Sequence, residues 1–217
     1  MRYVESAAAI KERPKGPLKL DFGCGPNKAA GFHGVDSIAL DGVDFVLDVA
    51  KRVTYMFELP DTSGVTRVVE LPPAGPPEFE KWPWADESVA EAHSSHFVEH
   101  LVPEQRVHFF NELYRVLEWG GKATIIVPSW AHERAYGDPT HKWPAVSNWL
   151  ALYLQKSWRD ANAPHTGYTC DFDWGSSATW DEWLNPEENM EEKIFAMQRY
   201  VNSTSDLMFK LTKTKRA

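Results

Sequence analysis

The chain has 217 residues, 43% hydrophobic and 25% charged, which supports one sizeable core, and no apolar run approaches the roughly 20 residues of a membrane span. A formal charge of −8 argues against broad phosphate-backbone binding, which needs a basic footprint. Cys24 and Cys170 give neither a disulfide framework nor a CxxC metal pair, and with no secretory h-region at the N-terminus the expected compartment is the cytoplasm.

Residues 1–16 mix Ala, Lys, Glu and Pro and read as a lead-in. The stretch Leu18-Lys-Leu-Asp-Phe22 then predicts a short buried strand interrupted by charge, followed at once by Gly23 and Gly25. Glycines past a strand end let the backbone turn sharply, with no Cβ to hold a ligand away. Asp21 sits at that strand end, where a carboxylate needs a donor or a cation, because burying it unpaired is costly. A ligand's ammonium group or the loop's own amides would meet the need.

The run GFHGVD at residues 31–36 predicts a second strand ending in Asp36. Between Gly23 and Gly31 there is too little chain for a crossover helix, so the first crossover is expected to be short. VDFVLD at 43–48 predicts a third strand, again ending in an acid, Asp48. Five prolines and two glycines break residues 51–81 into a loop, with a short hairpin expected around 65–71.

Order returns with a strand at 90–95 and a helix over 103–118, with Pro103 at its start and Phe110, Leu113, Tyr114 and Leu117 on one face. Gly120-Gly121 is expected to stop it, and ATIIVP at 123–128 reads as a central strand. Beyond Pro128 the chain holds seven of its ten tryptophans, between Trp130 and Trp183. A helix over 146–157, irregular structure to about 190, and a closing antiparallel hairpin of 194–201 with 207–211 are predicted there. The basic run at 210–216 reads as a frayed terminus. The expected fold is therefore α/β: a Rossmann-like, mostly parallel sheet with a C-terminal antiparallel hairpin, a short first crossover and a Trp-rich cap. It forms a single domain over 1–217, with a core to 128, a cap over 129–190 and a closing hairpin and tail over 191–217.

Five segments in order, LDFGCGPN (20–27), GVDS (34–37), DFVLDVAK (44–51), WPWADESVAEAHSSHFVEHL (82–101) and FFNELYRVLEWGGKATIIVP (109–128), resemble the core of a class I S-adenosylmethionine-dependent methyltransferase of the type 11 methyltransferase-domain kind. GDPTHK at 137–142 is similar to a group of small bacterial and phage-type methyltransferases. The resemblance implies S-adenosylmethionine as cofactor, with Asp21, Gly23 and Gly25 around its methionine part and Asp36 accepting from the ribose hydroxyls. It places Asp48 at the adenine amino group with Val49 beside it, and Ser94, Ser95 and His96 near the sulfonium and the methyl acceptor. Three features depart from the family pattern: Asn27 in place of a third loop glycine, Glu118-Trp119 in place of Lys-Pro, and the short first crossover. A nicotinamide dehydrogenase fits less well, since its third glycine position is Lys28 and Asp36 comes too early for the ribose acid.

The implied activity is methyl transfer to an oxygen or nitrogen of a small-molecule acceptor; the alternative is a non-catalytic binding or scaffold protein with the same fold. His96 is the first candidate to face the acceptor and His141 the second. His96 and His100 share the HxxxH spacing of some zinc sites, but a site also needs third and fourth ligands, so no metal is expected. Trp130, Trp143 and Trp149 are read first as packing and second as a platform for a flat or cationic acceptor. Nucleic acid is not favoured and not excluded: Ser-Ser-His-Phe stands where amino-methylating DNA enzymes carry Asn-Pro-Pro-Tyr. No membrane partner is expected.

Overall fold

A computed structural model describes residues 16–60, 66–71, 78–181 and 189–215. The lead-in at 1–15 lies outside them. In chain order the strands are β1 (Leu18–Phe22), β2 (His33–Asp36), β3 (Val43–Val46), β4 (Tyr55–Pro60), β5 (Thr66–Leu71), β6 (Val89–Ser95), β7 (Leu117–Pro128), β8 (Phe172–Trp180) and β9 (Thr204–Lys213). The helices are α1 (Pro103–Val116), α2 (Arg134–Gly137), α3 (Trp149–Tyr153), α4 (Lys156–Asn162) and α5 (Met190–Arg199). Among the described residues no helix is long and apolar enough to cross a membrane.

Seven strands form one sheet in the order β3-β2-β1-β6-β7-β9-β8. The pairs from β3 across to β7 are parallel, and β9 runs antiparallel to both β7 and β8. The first crossover is short as expected: β1 returns to β2 without a helix. β4 and β5 pair with each other as a separate antiparallel hairpin, wider than the one predicted around 65–71.

One face of the sheet is dry. Leu20, Phe22, Ala92, Ile125, Phe209 and Leu211 are all buried on it, with Phe109, Leu113 and Val116 of α1 in the same core. Phe22 is the hub, with ring centroids 4.7 Å from Trp82, 5.8 Å from Trp84 and 5.6 Å from Phe109. Such aromatic pairs add about 0.5–1.5 kcal/mol each beyond area burial. Pro103 opens α1, and the Gln105 side chain accepts from the Val102 amide at 2.9 Å, closing its first turn.

Six expectations are corrected. The helix predicted to Glu118 ends at Val116, and Leu117 enters β7 directly while its amide still bonds to Leu113. Gly120-Gly121 therefore bends a strand and stops no helix; Gly120 sits at φ +83°. Residues 194–201 are not a strand. The Asn189 side chain accepts from the Glu192 amide at 3.0 Å, and the Glu192 carboxylate accepts from the Asn189 amide at 3.2 Å. That capping box, with Glu191 and Glu192 in the first turn and Arg199 in the last, starts a helix. The antiparallel end of the sheet is built from β8 and β9, so residues 172–180, read as irregular cap, form its edge strand.

The single helix predicted over 146–157 is two, α3 and α4, broken where the Asp171 carboxylate accepts from the Lys156 amide at 2.8 Å. The basic run at 210–216 is not frayed up to Lys213: that side chain is buried and donates to the Leu117 carbonyl at 2.9 Å.

Candidate active site

The C-terminal ends of β1, β2 and β3 lie side by side. Past β1 the Gly23 and Cys24 amides both donate to the Val35 carbonyl, at 2.8 and 3.3 Å, folding the loop back over β2. Gly23 and Gly25 hold φ of +67° and +53°, which side-chain-bearing residues rarely adopt. Asp36 closes this arrangement, Oδ2 accepting from the Gly25 amide and Oδ1 from the Ile38 amide, both at 3.0 Å. Asp48 Oδ1 accepts from the Ala50 amide at 2.9 Å, and its side chain lies in an exposed residue. Each carboxylate oxygen has a second lone pair, so both acids can accept further hydrogen bonds.

The remaining expected cofactor residues are placed less openly. Asp21 is buried between His93 and the Ala29 amide, so its reach toward a ligand runs through the loop. The Val49 side chain is buried, while its carbonyl accepts from the Trp82 indole at 2.9 Å. Ser94 is fully buried on the core face, so any contact it offers a ligand comes from its backbone. Ser95 is half-buried on the opposite face, with His93.

β6 ends in a tight turn. His96 takes φ +54°, its amide donating to the Ile126 carbonyl at 2.9 Å, and a short 3-10 turn, Val98–His100, follows. Left-handed backbone in a non-glycine residue stores strain, and such strain gathers at functional sites. Beside this turn lies a cavity of about 770 Å³ walled by His96, Glu99, His100, Pro128, Glu133, Arg134, Gly137, Asp138, Pro139 and His141. The two candidate histidines are thus brought to one cavity. Trp130, Trp143 and Trp149 are exposed and are not among its walls, so the platform reading of these three finds no support.

Arg106 ties together two segments that carry cavity residues. It is buried on α1 and donates to the carbonyls of Val98 (3.2 Å), Pro144 (2.6 Å), Lys142 (3.0 Å) and Glu99 (3.5 Å). Its guanidinium therefore clamps the loop after His141 to the turn after β6. The Lys142 amide adds a bond to the Glu99 carbonyl at 2.8 Å. Burial lowers the Arg106 pKa from its ordinary 12.5, which leaves a guanidinium charged.

His96 stands 3.4 Å from Glu99 Oε1 and 3.9 Å from Asp206 Oδ1, and Arg134 reaches the same Asp206 oxygen at 3.3 Å. The Glu99 carboxylate beside it raises the His96 pKa above its ordinary 6.5, against the opposing effect of burial. Asp138 accepts from both the hydroxyl and the amide of Thr140, which lowers its carboxyl below the usual range. Cys24, beside Asp21 and Asp36, is pushed up to about 11, first by burial and then by those two charges. It is no nucleophile at neutral pH.

No protein-family model matches the chain, and no curated protein does. Among solved structures, an S-adenosylmethionine-dependent methyltransferase from Archaeoglobus fulgidus superposes with a TM-score of 0.52 at 20% identity, over 92% of this chain and 87% of that one. A second, a possible histamine N-methyltransferase from Thermotoga maritima, gives a TM-score of 0.50 at 15% identity, over 93% of this chain and 84% of that one. The fold is that of the class I S-adenosylmethionine-dependent methyltransferases.

In this methyltransferase fold the glycine loop and the cavity are neighbours. A Cβ built on Gly23 would come within 2.3–2.6 Å of the Phe97 side chain, and Phe97 lies between His96 and the Val98–His100 turn. Sequence reasoning missed Arg106 and the cavity walls from distant segments, Glu133 and Arg134, together with Asp206 behind His96. No local pattern marks them, since β9 meets β7 only through the sheet register. The buried Glu99 carboxylate gives no signal in the sequence spacing either.

Proposed function

We propose that this chain transfers a methyl group from S-adenosylmethionine to an oxygen or nitrogen of a small-molecule acceptor. One observation carries the reading: a glycine loop tied to an acid at the end of the neighbouring strand abuts, through Phe97, a cavity walled by three histidines, His96 and His141 among them. In α/β sheets, ligands bind at the carboxyl ends of the strands.

The residues suit the cofactor. A Cβ on Gly25 would meet no atom within 4 Å, so the loop leaves backbone approachable there. Asp36 and Asp48 keep acceptor capacity for ribose hydroxyls and an adenine amino group. The cofactor's sulfonium supplies the electrophilic methyl. What the chain contributes is position, and holding a nucleophile in line is worth on the order of 7–11 kcal/mol. His96, at the seam between the loop and the cavity, orients the acceptor or takes its proton; His141, in the same cavity wall, is the second candidate.

Calorimetry with S-adenosylmethionine, followed by incubation of labelled cofactor with a cell extract and identification of the product, tests this. Micromolar binding and a labelled product are expected, with binding weakened in Asp36→Ala by about 1–3 kcal/mol. Binding without transfer to any fraction would favour the scaffold alternative, and no binding would reject both.

A further inference from the structure

Glu99 is 4% exposed, yet among the described residues neither carboxylate oxygen has a hydrogen-bond partner. His96, 3.4 Å away, is not aligned to donate, and the nearest buried cation, Arg106, spends its N–H groups on four backbone carbonyls. A buried carboxylate that accepts no hydrogen bond is costly, and the ion pair with His96 engages only Oε1, which leaves room for a second cation. Two imidazoles stand with it. One ligand atom each from Glu99, His100 and His141 falls within 4.8 Å of the others, at the cavity wall.

The hydrogen bonds behind the two imidazoles fix their tautomers. The Thr140 hydroxyl donates to Asp138 Oδ1 at 2.6 Å, so toward His100 Nδ1, at 2.9 Å, it can only accept. His100 therefore carries its proton on Nδ1. His141 Nδ1 lies 3.2 Å from the Ala135 carbonyl, which also can only accept, so its proton is on Nδ1 as well. His141 Nε2 stands 4.0 Å from Asp138 Oδ2, beyond hydrogen-bond distance, and among the described residues neither Nε2 has a hydrogen bond, so both lone pairs are open to another partner. A ligating histidine held through its other ring nitrogen by a backbone carbonyl or a hydroxyl–carboxylate relay is the arrangement metal sites use.

We propose that Glu99, His100 and His141 bind a divalent transition-metal cation, zinc foremost, whose open position faces the cavity and takes a hydroxyl of the acceptor. Two histidines and one carboxylate with a fourth position open is a catalytic zinc set. Imidazole nitrogens select zinc and its neighbours over magnesium or calcium. Metal–ligand bonds of about 2.1 Å place tetrahedral ligands about 3.4 Å apart, so the three side chains would draw in by roughly an ångström. The HxxxH pair of His96 and His100 is thus not the ligand set; His141, 41 positions on, replaces His96. A cation there lowers the pKa of a bound hydroxyl. It thereby selects an oxygen acceptor, which deepens the function proposed above and rests on it.

The test uses the full chain, stripped with a chelator and dialysed. Zinc chloride and cobalt chloride are titrated in, bound metal is counted by mass spectrometry, and cobalt coordination is read from its visible spectrum. One ion per chain is expected, with an intense four-coordinate cobalt spectrum. His100→Gln and Glu99→Gln should each weaken binding by at least tenfold, and Thr140→Val, which frees the His100 tautomer, by about 10–100-fold. His165→Gln should bind as the wild type does. Circular dichroism shows whether Glu99→Gln folds, and His100→Gln and Thr140→Val carry the test if it does not. No bound ion, or equal affinity in His100→Gln and the wild type, overturns the proposal. Calorimetry with S-adenosylmethionine on stripped and zinc-loaded protein separates the two ideas: metal without cofactor binding keeps the site and rejects the methyltransferase reading, and the reverse rejects only the metal.

Discussion

Asp21 and His93 face each other across β1 and β6, Oδ1 to Nδ1 at 2.8 Å, with the acid's side chain 4% exposed. The second Asp21 oxygen accepts from the Ala29 amide at 2.7 Å, so one buried carboxylate ties the strand to the far end of the glycine loop. The acid at the strand end has thus found its donors inside the fold. Asp21→Ala leaves the amide and the imidazole without their acceptor, and stability should fall by about 1–3 kcal/mol in urea unfolding. His93→Ala removes the same contact from the other side. Asp21→Ala in a His93→Ala background should therefore cost less than it does alone; strictly additive losses would mean the pair is not coupled.

Gly23 and Gly25 share positive φ but differ in surroundings. At Gly23 a Cβ would strike the Phe97 ring at 2.3 Å; at Gly25 it would meet open space. Gly23→Ala should unsettle the loop and the start of the Val98–His100 turn together, lowering thermal stability and abolishing cofactor binding. Gly25→Ala bears only the left-handed backbone penalty, roughly 1–2 kcal/mol, and should fold while losing affinity where the ligand approaches. Phe97→Gly in the Gly23→Ala background should relieve the clash, which Phe97→Ala would leave at the Phe97 Cβ, 2.6 Å away. If Gly23→Ala melts as Gly25→Ala does, the Phe97 contact is not what makes that glycine necessary.

Strands that end in a residue with chemistry were legible in the sequence: Asp21, Asp36, Asp48 and His96 fall at the ends of β1, β2, β3 and β6, or beside them. Period-2 burial and turn residues mark such places locally. β8 was not legible, because an edge strand with Asp173, Gly175, Ser176 and Ser177 carries little of the β-branched pattern that marks a central strand. α5 was misread because Ile194, Phe195 and Val201 suggest a strand, while the deciding signal lay upstream, in the Asn189–Glu192 capping box. The meeting of Glu99 with His141 depends on Arg106 gathering four carbonyls from two loops. A long-range clamp of that kind leaves no periodicity to read.

Lys213 ends β9 inside the protein. Its ammonium donates to the Leu117 carbonyl at 2.9 Å and lies 4.8 and 4.6 Å from the ring centroids of Tyr114 and Trp119. It thereby latches the last strand to the junction of α1 and β7. Lys213→Met keeps the stem's packing but removes the bond to the Leu117 carbonyl and both cation–π contacts. A loss of about 1–3 kcal/mol in chemical unfolding is expected, and a chain truncated before Lys213 should lose at least as much. Lys210→Met, on an exposed residue of the same strand, should change stability by less than about 0.5 kcal/mol.

His108 sets a pH dependence of its own. Its ring stacks on Phe79 at 4.9 Å and lies edge-on to Trp82 at 6.3 Å, and its buried Nε2 has no hydrogen-bond partner among the described residues. Burial lowers its pKa below the ordinary 6.5; the Glu112 charge and a backbone bond to Glu80 pull upward, and the Arg115 charge pushes down. The unfolded chain therefore binds the proton first as pH falls, and stability declines from about pH 6.5 down to the lower folded value, then levels off. His96 works in the opposite sense, since its raised pKa adds stability below 6.5 that is lost as pH rises through the folded value. The wild-type profile mixes the two, so the informative quantity is the difference between wild type and His108→Phe, which keeps the stack and removes the proton site. At pH 8 the variant loses the bond to Glu80 together with an unpartnered buried nitrogen, and the offset measured there is the baseline. Toward pH 5.5 the gap should widen in the variant's favour in urea unfolding. A gap that stays constant between those two pH values would mean that His108 titrates alike in the folded and unfolded chain, and that its burial does not oppose the proton.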